Sequence, residues 1–344
     1  MILPLYINYP SWIHPEIFPG LPVLSLLRWY GLMYIFAFGT AFFILKKLLQ
    51  EGALDSTNAD GSLRKATEDD IFSFIATGIV FLLIGARVFS TLVYNQYDPK
   101  NPLSINYWTH PWLIFWPFQN GHFTGLAGMS YHGGFIGGLL GMIFWCWRHK
   151  VPFFKWADAM VTAIPLGYTF GRIGNFMNGE LFGRITTAPW GMVFPHAEKF
   201  SVSIPWVQGI VDKIGMKVST NHVNLPRHPS QLYEALFEGL ILFSIIWILH
   251  KKKPFDGFSG ALYTGGYGFF RFFLEYFRAP DADIGYVLCL HPFTTSKEIL
   301  KKVSVDLFTS PLYISKGQIL CFLMILGGIG VAVTGYLLNK RKSA

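Results

Sequence analysis

The sequence predicts an all-α polytopic membrane protein of about seven transmembrane helices, with its N-terminus outside, its C-terminus cytoplasmic and a small external cap. Three observations carry that expectation. The 344 residues are 52% hydrophobic and 14% charged, with 33 Phe, 16 Tyr and 11 Trp, where a soluble chain carries about 25% charged residues. Seven apolar stretches are long enough, or nearly so, to cross a bilayer. Lysines and arginines cluster at alternate ends of those stretches.

In chain order the stretches run at about Leu24–Leu49, Ile71–Tyr94, Tyr131–Trp147, Trp156–Met177, Gln231–His250, Phe258–Phe277 and Gln318–Leu338. The third is short, but Gly133, Gly134, Gly137, Gly138 and Gly141 form overlapping small-xxx-small pairs that permit close helix packing. The aromatic stretch Trp108–Phe118 is too short and proline-broken to span, and reads as an interfacial segment at headgroup level. The organisation expected is one transmembrane domain over 1–344, with an external cap at 184–227 and longer loops at 51–70 and 282–314.

Lys46, Lys47, Arg64 and Lys65 follow the first span; Arg148, Lys150 and Lys155 the third; Lys251, Lys252 and Lys253 the fifth; Lys340, Arg341 and Lys342 the last. The connection over 95–130 has only Lys100, and the first 23 residues have no Lys or Arg. The positive-inside rule places the N-terminus outside. Lys297, Lys301 and Lys302 run against it, as translocated loops of that length tolerate.

Several function classes drop out. The net charge of +8 comes from short clusters between apolar spans, not from a contiguous basic face that would bind nucleic acid. Cys146, Cys289 and Cys321 are odd in number and widely spaced, so they indicate neither a disulfide framework nor a zinc site. The first 20 residues lack the basic n-region and cleavage site of a signal peptide. HExxH, GxSxG and phosphate-cradling glycine loops are missing too, which removes the common protease, hydrolase and nucleotidase readings.

What remains is a set of polar residues inside apolar spans. The stretch 171–184, GRIGNFMNGELFGR, carries Arg172, Asn175, Asn178, Glu180 and Arg184. A helix would place Arg172, Asn175 and Gly179 on one face. An arginine at mid-span costs about 2.5–3.5 kcal/mol on insertion scales, so such residues are functional by default. Counting about 1.5 Å per residue from the cytoplasmic ends, Arg172, Arg87 and Arg271 lie roughly 25, 24 and 21 Å up. All three fall in the outer leaflet of a core about 30 Å thick. With Asn175, Glu180 and Tyr267 they describe an anion pocket facing the outer half of the bilayer.

Blander readings stand beside this one. Arg87 has the alternative of snorkelling to the headgroups. Arg271 has Tyr267 at i−4 and Glu275 at i+4, so a structural Arg271–Glu275 pair is open. His132, at the start of a span, reads on its own as an interfacial histidine. Glu234 and Glu238 are spaced like a two-carboxylate site, but no third ligand supports a metal.

GRIGNFMNGELFGR closely resembles the signature of the bacterial prolipoprotein diacylglyceryl transferases. The resemblance continues through RWYGLMY at 28–34, GAR at 85–87, GMSYHGG at 128–134, RHPSQLYE at 227–234, GYGFFRFFLEYFRAPD at 266–281 and KGQIL at 316–320. Three regions look longer than the family needs: 51–70, the aromatic segment before His132, and the loop between Asp281 and Ser315. None interrupts a motif. The resemblance implies transfer of the diacylglyceryl group of phosphatidylglycerol to the lipobox cysteine of a preprolipoprotein in the bacterial inner membrane, without cofactor or metal. It carries functional roles onto Tyr30, His132, Arg172, Asn175, Glu180, Gly183, Tyr267 and Arg271, and more weakly onto Asn178 and Glu275.

The residues suit that chemistry. Arginine holds phosphate through a planar donor fork, which fits Arg172 and Arg271 to lipid binding and leaving-group stabilisation. The incoming thiol has an ordinary pKa near 8.5, so a base or a cationic field helps it ionise, and His132 is the candidate base. An anion or lipid-headgroup transporter would also place arginines in the outer half. Transporters usually show internal repeats meeting at the midplane, and no repeat is visible here. A catalytically dead scaffold is the third reading, which the retained motifs oppose.

Overall fold

A computed structural model describes all residues except 1–4, 21–26, 59, 96, 99, 101–103, 120, 121, 124–127, 280–284, 309 and 344. The helices in chain order are α1 (Trp29–Gln50), α2 (Glu68–Phe89, continued by a π-helical turn Ser90–Tyr94), α3 (Tyr131–His149), α4 (Phe153–Met177) and α5 (Pro205–Ile214). They are followed by α6 (Ser230–Glu234), which runs through a π-helical stretch Ala235–Ile241 into α7 (Leu242–Leu249), and by α8 (Phe258–Leu274), α9 (Lys297–Leu300) and α10 (Lys316–Ser343). A long helix or helical run therefore stands at each of the seven apolar stretches. The Leu24 end of the first stretch lies outside the described residues, and the sixth helix ends at Leu274, short of Phe277.

Among the described residues, four runs are long and apolar enough to cross a membrane: Trp29–Gln50, Glu68–Tyr94, Ser230–Lys252 and Lys316–Arg341. α3, α4 and α8 are not among them. The physical reason is visible in their sequences: α4 carries Lys155, Asp158 and Arg172, α3 is glycine-rich, and α8 has 17 residues.

The chain forms two compact units, one of 42–159 and one of 1–41 with 160–344. In the first, α2 begins with a reciprocal capping box between Thr67 and Asp70, and Glu68, Asp69 and Asp70 complement the positive end of its dipole. α2 and α3 pack backbone to backbone. A Cβ on Gly137 would lie 2.2 Å from the Phe81 carbonyl oxygen, and one on Gly85 would lie 2.4 Å from that of Gly133. Only glycine permits this approach, which is what the glycine spacing of α3 anticipated. Short strand pairs, β2–β3 (Ser56–Thr57 with Leu63–Arg64) and β4–β5 (Phe118–Gln119 with His122–Phe123), ornament its connections.

In the second unit, three separate segments pack together, and the cluster they form is termed the cap. The segment 184–227 contributes α5 and the antiparallel pair β7 (Lys199–Ser201) and β8 (His222–Asn224). Val207 and Val211 of α5, with Ile185, Val223 and Leu225, form its apolar core, and Leu307 packs against it. Near the N-terminus, β1 (Ile7–Asn8) pairs in parallel with β6 (Met192–Val193). The third segment is a three-stranded antiparallel sheet, with β9 (Tyr286–Leu290) between β10 (Phe293–Thr294) and β11 (Tyr313–Ser315). The loop at 282–314 is thus joined to the cap: Ile185 N donates to Asp306 O at 2.8 Å. Arg184, fully buried, donates to Tyr286 Oη and Val305 O at 2.7 Å each. Arg227 pairs with Asp306 at 2.8 Å. Desolvation lowers the Arg184 pKa below the usual arginine value.

Candidate active site

The helix carrying the signature is stopped by its own sequence. α4 ends at Met177, and Gly179 takes a left-handed φ of 66° that a side chain would strain. Gly179 is therefore a terminating glycine and does not share the helical face of Arg172 and Asn175, as the spacing alone had suggested. Tyr9 of the cap points its hydroxyl at the Phe176 and Met177 carbonyls at 2.8 and 3.1 Å, adding a donor at this end, where Phe176 O also accepts from Gly179 N at 2.9 Å. Burial pushes the Tyr9 hydroxyl up to about 12, which keeps that donor proton in place.

From the end of α4 the chain turns sharply, and RHPSQLYE clamps the turn. Gly183 N donates to His228 O at 2.9 Å, Ser230 Oγ to Leu181 O at 3.2 Å, and Gln231 Nε2 to Glu180 O at 2.5 Å. Gly183 passes so close to the end of α8 that a Cβ there would stand 2.1 Å from the Phe277 carbonyl oxygen. Its part is to let two backbones meet. His228, on the cap side of α6, is desolvated and lies near Arg184, which lowers its pKa to about 4.

Within this frame the side chains of α4, α6, the π-helical stretch and α8 converge on Glu234. Its carboxylate is 1% exposed and holds Arg172 Nε at 2.9 Å, Arg271 Nη1 at 3.4 Å and Arg278 Nη1 at 3.4 Å. Tyr168 Oη donates to Glu234 at 3.1 Å and, more closely, to Glu238. Arg271 also reaches Glu238 at 3.7 Å and Glu275 at 3.3 Å. Arg172 lies over the Tyr168 ring, 4.7 Å from its centre. Three arginines thus meet three glutamates. Buried charges persist only when paired, since taking one ion out of water costs several kcal/mol. The arginines of the expected anion pocket are thus charge-matched inside the chain.

A second set of contacts runs from Arg172 towards the turn. Arg172 Nη1 donates to Asn175 Oδ1 at 3.4 Å, and Asn175 and Asn178 both donate to Glu180 Oε1, at 3.0 and 3.1 Å. The Tyr30 ring packs on Gly174, where a Cβ would lie 3.0 Å from it, and its hydroxyl meets Tyr34 Oη at 3.3 Å. Tyr267 stands edge-on to Tyr168, with ring centres 6.0 Å apart. The Arg271–Glu275 pair is real, and Glu275 also accepts from Ser315 Oγ at 3.0 Å. Ser315 and Gln318 cap α10 reciprocally, and Gly317 leaves room for the Glu275 carboxylate, which accounts for KGQIL.

Arg87 and His132 belong to the other unit. Arg87 is 3% exposed and donates to the carbonyls of Ile114 at 2.5 Å and Gly128 at 3.3 Å. A snorkelling arginine keeps its head in water, so that reading is corrected: Arg87 fastens the aromatic segment to α2. His132 is exposed on the first turn of α3, with Nδ1 2.6 Å from Tyr94 Oη.

The sequence reading singles out none of Tyr168, Arg278 and Tyr94, which contact the predicted site residues, and it weighs Glu234 and Glu238 only as a weak metal pair. Two signals were available. Tyr168 precedes Arg172 by four residues, as Tyr267 precedes Arg271. Arginines inside spans also demand carboxylates at similar depth, and few are on offer. Among the described residues no group of three His, Cys, Asp or Glu side chains forms a metal site.

The family described as prolipoprotein diacylglyceryl transferase matches residues 21–334. A phosphatidylglycerol–prolipoprotein diacylglyceryl transferase of Treponema denticola is 50% identical over 98% of this chain and 96% of its own length. Proteins of the same name from Treponema pallidum and Chlorobaculum tepidum are 47% and 37% identical, over 98% and 95% of this chain and 98% and 91% of their own lengths. With the signature helix, its clamp and its arginine–glutamate cluster all inside the matched region, the chain belongs to the prolipoprotein diacylglyceryl transferase family.

Proposed function

We infer that this protein transfers the diacylglyceryl group of phosphatidylglycerol to the lipobox cysteine of a preprolipoprotein, forming a thioether and releasing glycerol phosphate. Membership of the family carries the reading, and the guanidinium cluster around Glu234 is the observation that supports it best. Among the described residues Arg271 Nη1 has no aligned hydrogen-bond acceptor, although it is enclosed. A buried donor without an acceptor is costly, and one phosphate oxygen would satisfy it.

In the reaction the cysteine sulfur attacks the glyceryl carbon that bears the phosphate ester. The carbon–oxygen bond breaks, and its electron pair leaves on the phosphate. Arg172 and Arg271 stabilise that charge, each held in orientation by Glu234, while Asn175, Asn178 and Glu180 fix the Arg172 side and the glycerol. Gly183 allows the close turn, and Tyr30 and Tyr267 line the approach. His132 is the candidate base for the thiol proton, and Tyr94 supports its ring. Glu275 steadies Arg271, and Arg87 serves the aromatic segment. No cofactor is needed for this displacement.

Seven spans in a bacterial inner membrane, with the N-terminus and cap outside, complete the reading. The C-terminal ends of α4 and α8 and the N-terminal ends of α6 and α10 all meet the cap segments, as alternating spans require. Cysteines introduced at Lys213 and Lys252 report the orientation: an impermeant thiol reagent outside intact cells should label the first alone. The decisive assay for the reaction is incubation of the purified protein with phosphatidylglycerol and a lipobox peptide. A diacylglyceryl mass on the peptide cysteine is expected, and its absence overturns the reading. No observation favours the transporter.

A further inference from the structure

The three lysines that run against the charge rule sit on one small surface. Lys297, Lys301 and Lys302 are exposed on and just after α9, beside the β9–β10 hairpin. Leu290 and Phe293 are cross-strand neighbours at the end of that hairpin and are 51% and 74% exposed, while Ile299 on α9 is 53% exposed. The opposite face is closed: Tyr286, Cys289 and Leu300 form a buried cluster with Val303 and Tyr313 packed on it. The outward apolar side chains are therefore not spillover from an incomplete core.

Covalent geometry keeps this surface near a bilayer. Leu290 N bonds to Leu312 O at 3.0 Å, and β11 leads directly into α10, whose Lys316–Arg341 is apolar enough to cross. Four extended residues cover roughly 13 Å and the step between paired strands adds about 5 Å, so Leu290 lies within about 18 Å of the first residue of a candidate span. Exposed aromatic and aliphatic side chains with interleaved lysines form the pattern of a membrane-surface contact. Glu298, also exposed, offsets one charge and leaves a net +2 on the patch, from three lysines less one glutamate.

We propose that Leu290, Phe293 and Ile299, with Lys297, Lys301 and Lys302, form a docking surface for anionic lipid headgroups on the cap face of the membrane. Charge complementarity selects this occupant. The lipid after which the relatives are named, phosphatidylglycerol, is anionic, and a lysine near an anionic surface gains about fivefold in binding. The surface would hold the cap against the bilayer and raise the local concentration of the lipid to be consumed; only this second role rests on the proposed reaction.

The test uses the full chain in phosphatidylcholine vesicles with and without phosphatidylglycerol. An environment-sensitive fluorophore goes on Thr295→Cys, since Cys146, Cys289 and Cys321 are buried. With phosphatidylglycerol present, lipid-borne quenchers should reach the probe and aqueous iodide should not. The triple variant Lys297→Gln, Lys301→Gln, Lys302→Gln should return it to iodide and raise the KM for diluted phosphatidylglycerol by about tenfold or more, at unchanged kcat. A probe open to iodide in both vesicles overturns the proposal, as does lipid quenching that ignores phosphatidylglycerol and the lysines. Protection only by a lipobox peptide overturns it in favour of a protein partner. An unchanged KM with a lipid-quenched probe overturns the recruiting role. The probe reads independently of turnover, so failure of the transfer reading leaves its result standing.

Discussion

Replacing Glu234 by glutamine removes one charge from the centre of the cluster while keeping size and shape. Its carboxylate stands 2.9 Å from Arg172 Nε and 3.4 Å from nitrogens of Arg271 and Arg278. At an effective dielectric of 20, those contacts are worth about 6, 5 and 5 kcal/mol gross. Against them stand the desolvation of the carboxylate, several kcal/mol, and the repulsion among the three arginines. Breaking a buried pair by neutralising one partner costs about 3–5 kcal/mol net. In thermal unfolding of the purified protein this should appear as a midpoint lowered on the order of 10 °C. Transfer should fall by about 10–100-fold, the usual effect of losing a group that orients functional ones. Glu275→Gln, with Arg271 and Ser315 as its partners, should cost less on both measures. Glu234→Asp keeps the charge and should recover part of the midpoint. A Glu234→Gln protein with the parent's midpoint and rate would refute the reasoning, because the arginines would then stand without it.

Three further outcomes are expected. Gly183→Ala puts a methyl group 2.1 Å from a backbone oxygen that cannot rotate away, so the protein should lose about 1–3 kcal/mol or more together with its transfer activity, read by thermal shift and peptide mass. His132→Gln should bind phosphatidylglycerol normally and transfer slowly, with partial rescue at higher pH, where the free thiol ionises unaided; a normal rate at neutral pH would leave His132 as an interfacial residue. His228 has a folded pKa of about 4, below its unfolded value near 6.5. The unfolded chain therefore binds more protons between those values, and stability should drop as pH falls from about 6.5 to 4. His228→Gln should flatten that part of a midpoint-against-pH curve, and an unaltered curve would count against the assignment.

Local pattern made much of this protein legible in one dimension. Hydropathy placed a helix at every apolar stretch, because burial of apolar surface acts on each segment by itself. Glycine spacing in α3 announced the backbone contact with α2, and the signature at 171–184 announced the family. What the chain does with charge was decided only in three dimensions. Arg172, Arg271 and Arg278 find Glu234 because α4, α6 and α8 meet there, and no local period encodes which distant carboxylate a buried arginine will reach. Gly179 fell outside its expected face because the helix ends where its left-handed backbone begins. The cap joins segments near the N-terminus, at 184–227 and at 286–315, whose contacts are long-range and so invisible to spacing. The sequence determined which residues must be buried with charge; the tertiary structure decided how each buried charge is matched, since pairing depends on ångström-scale distances between helices far apart in the chain.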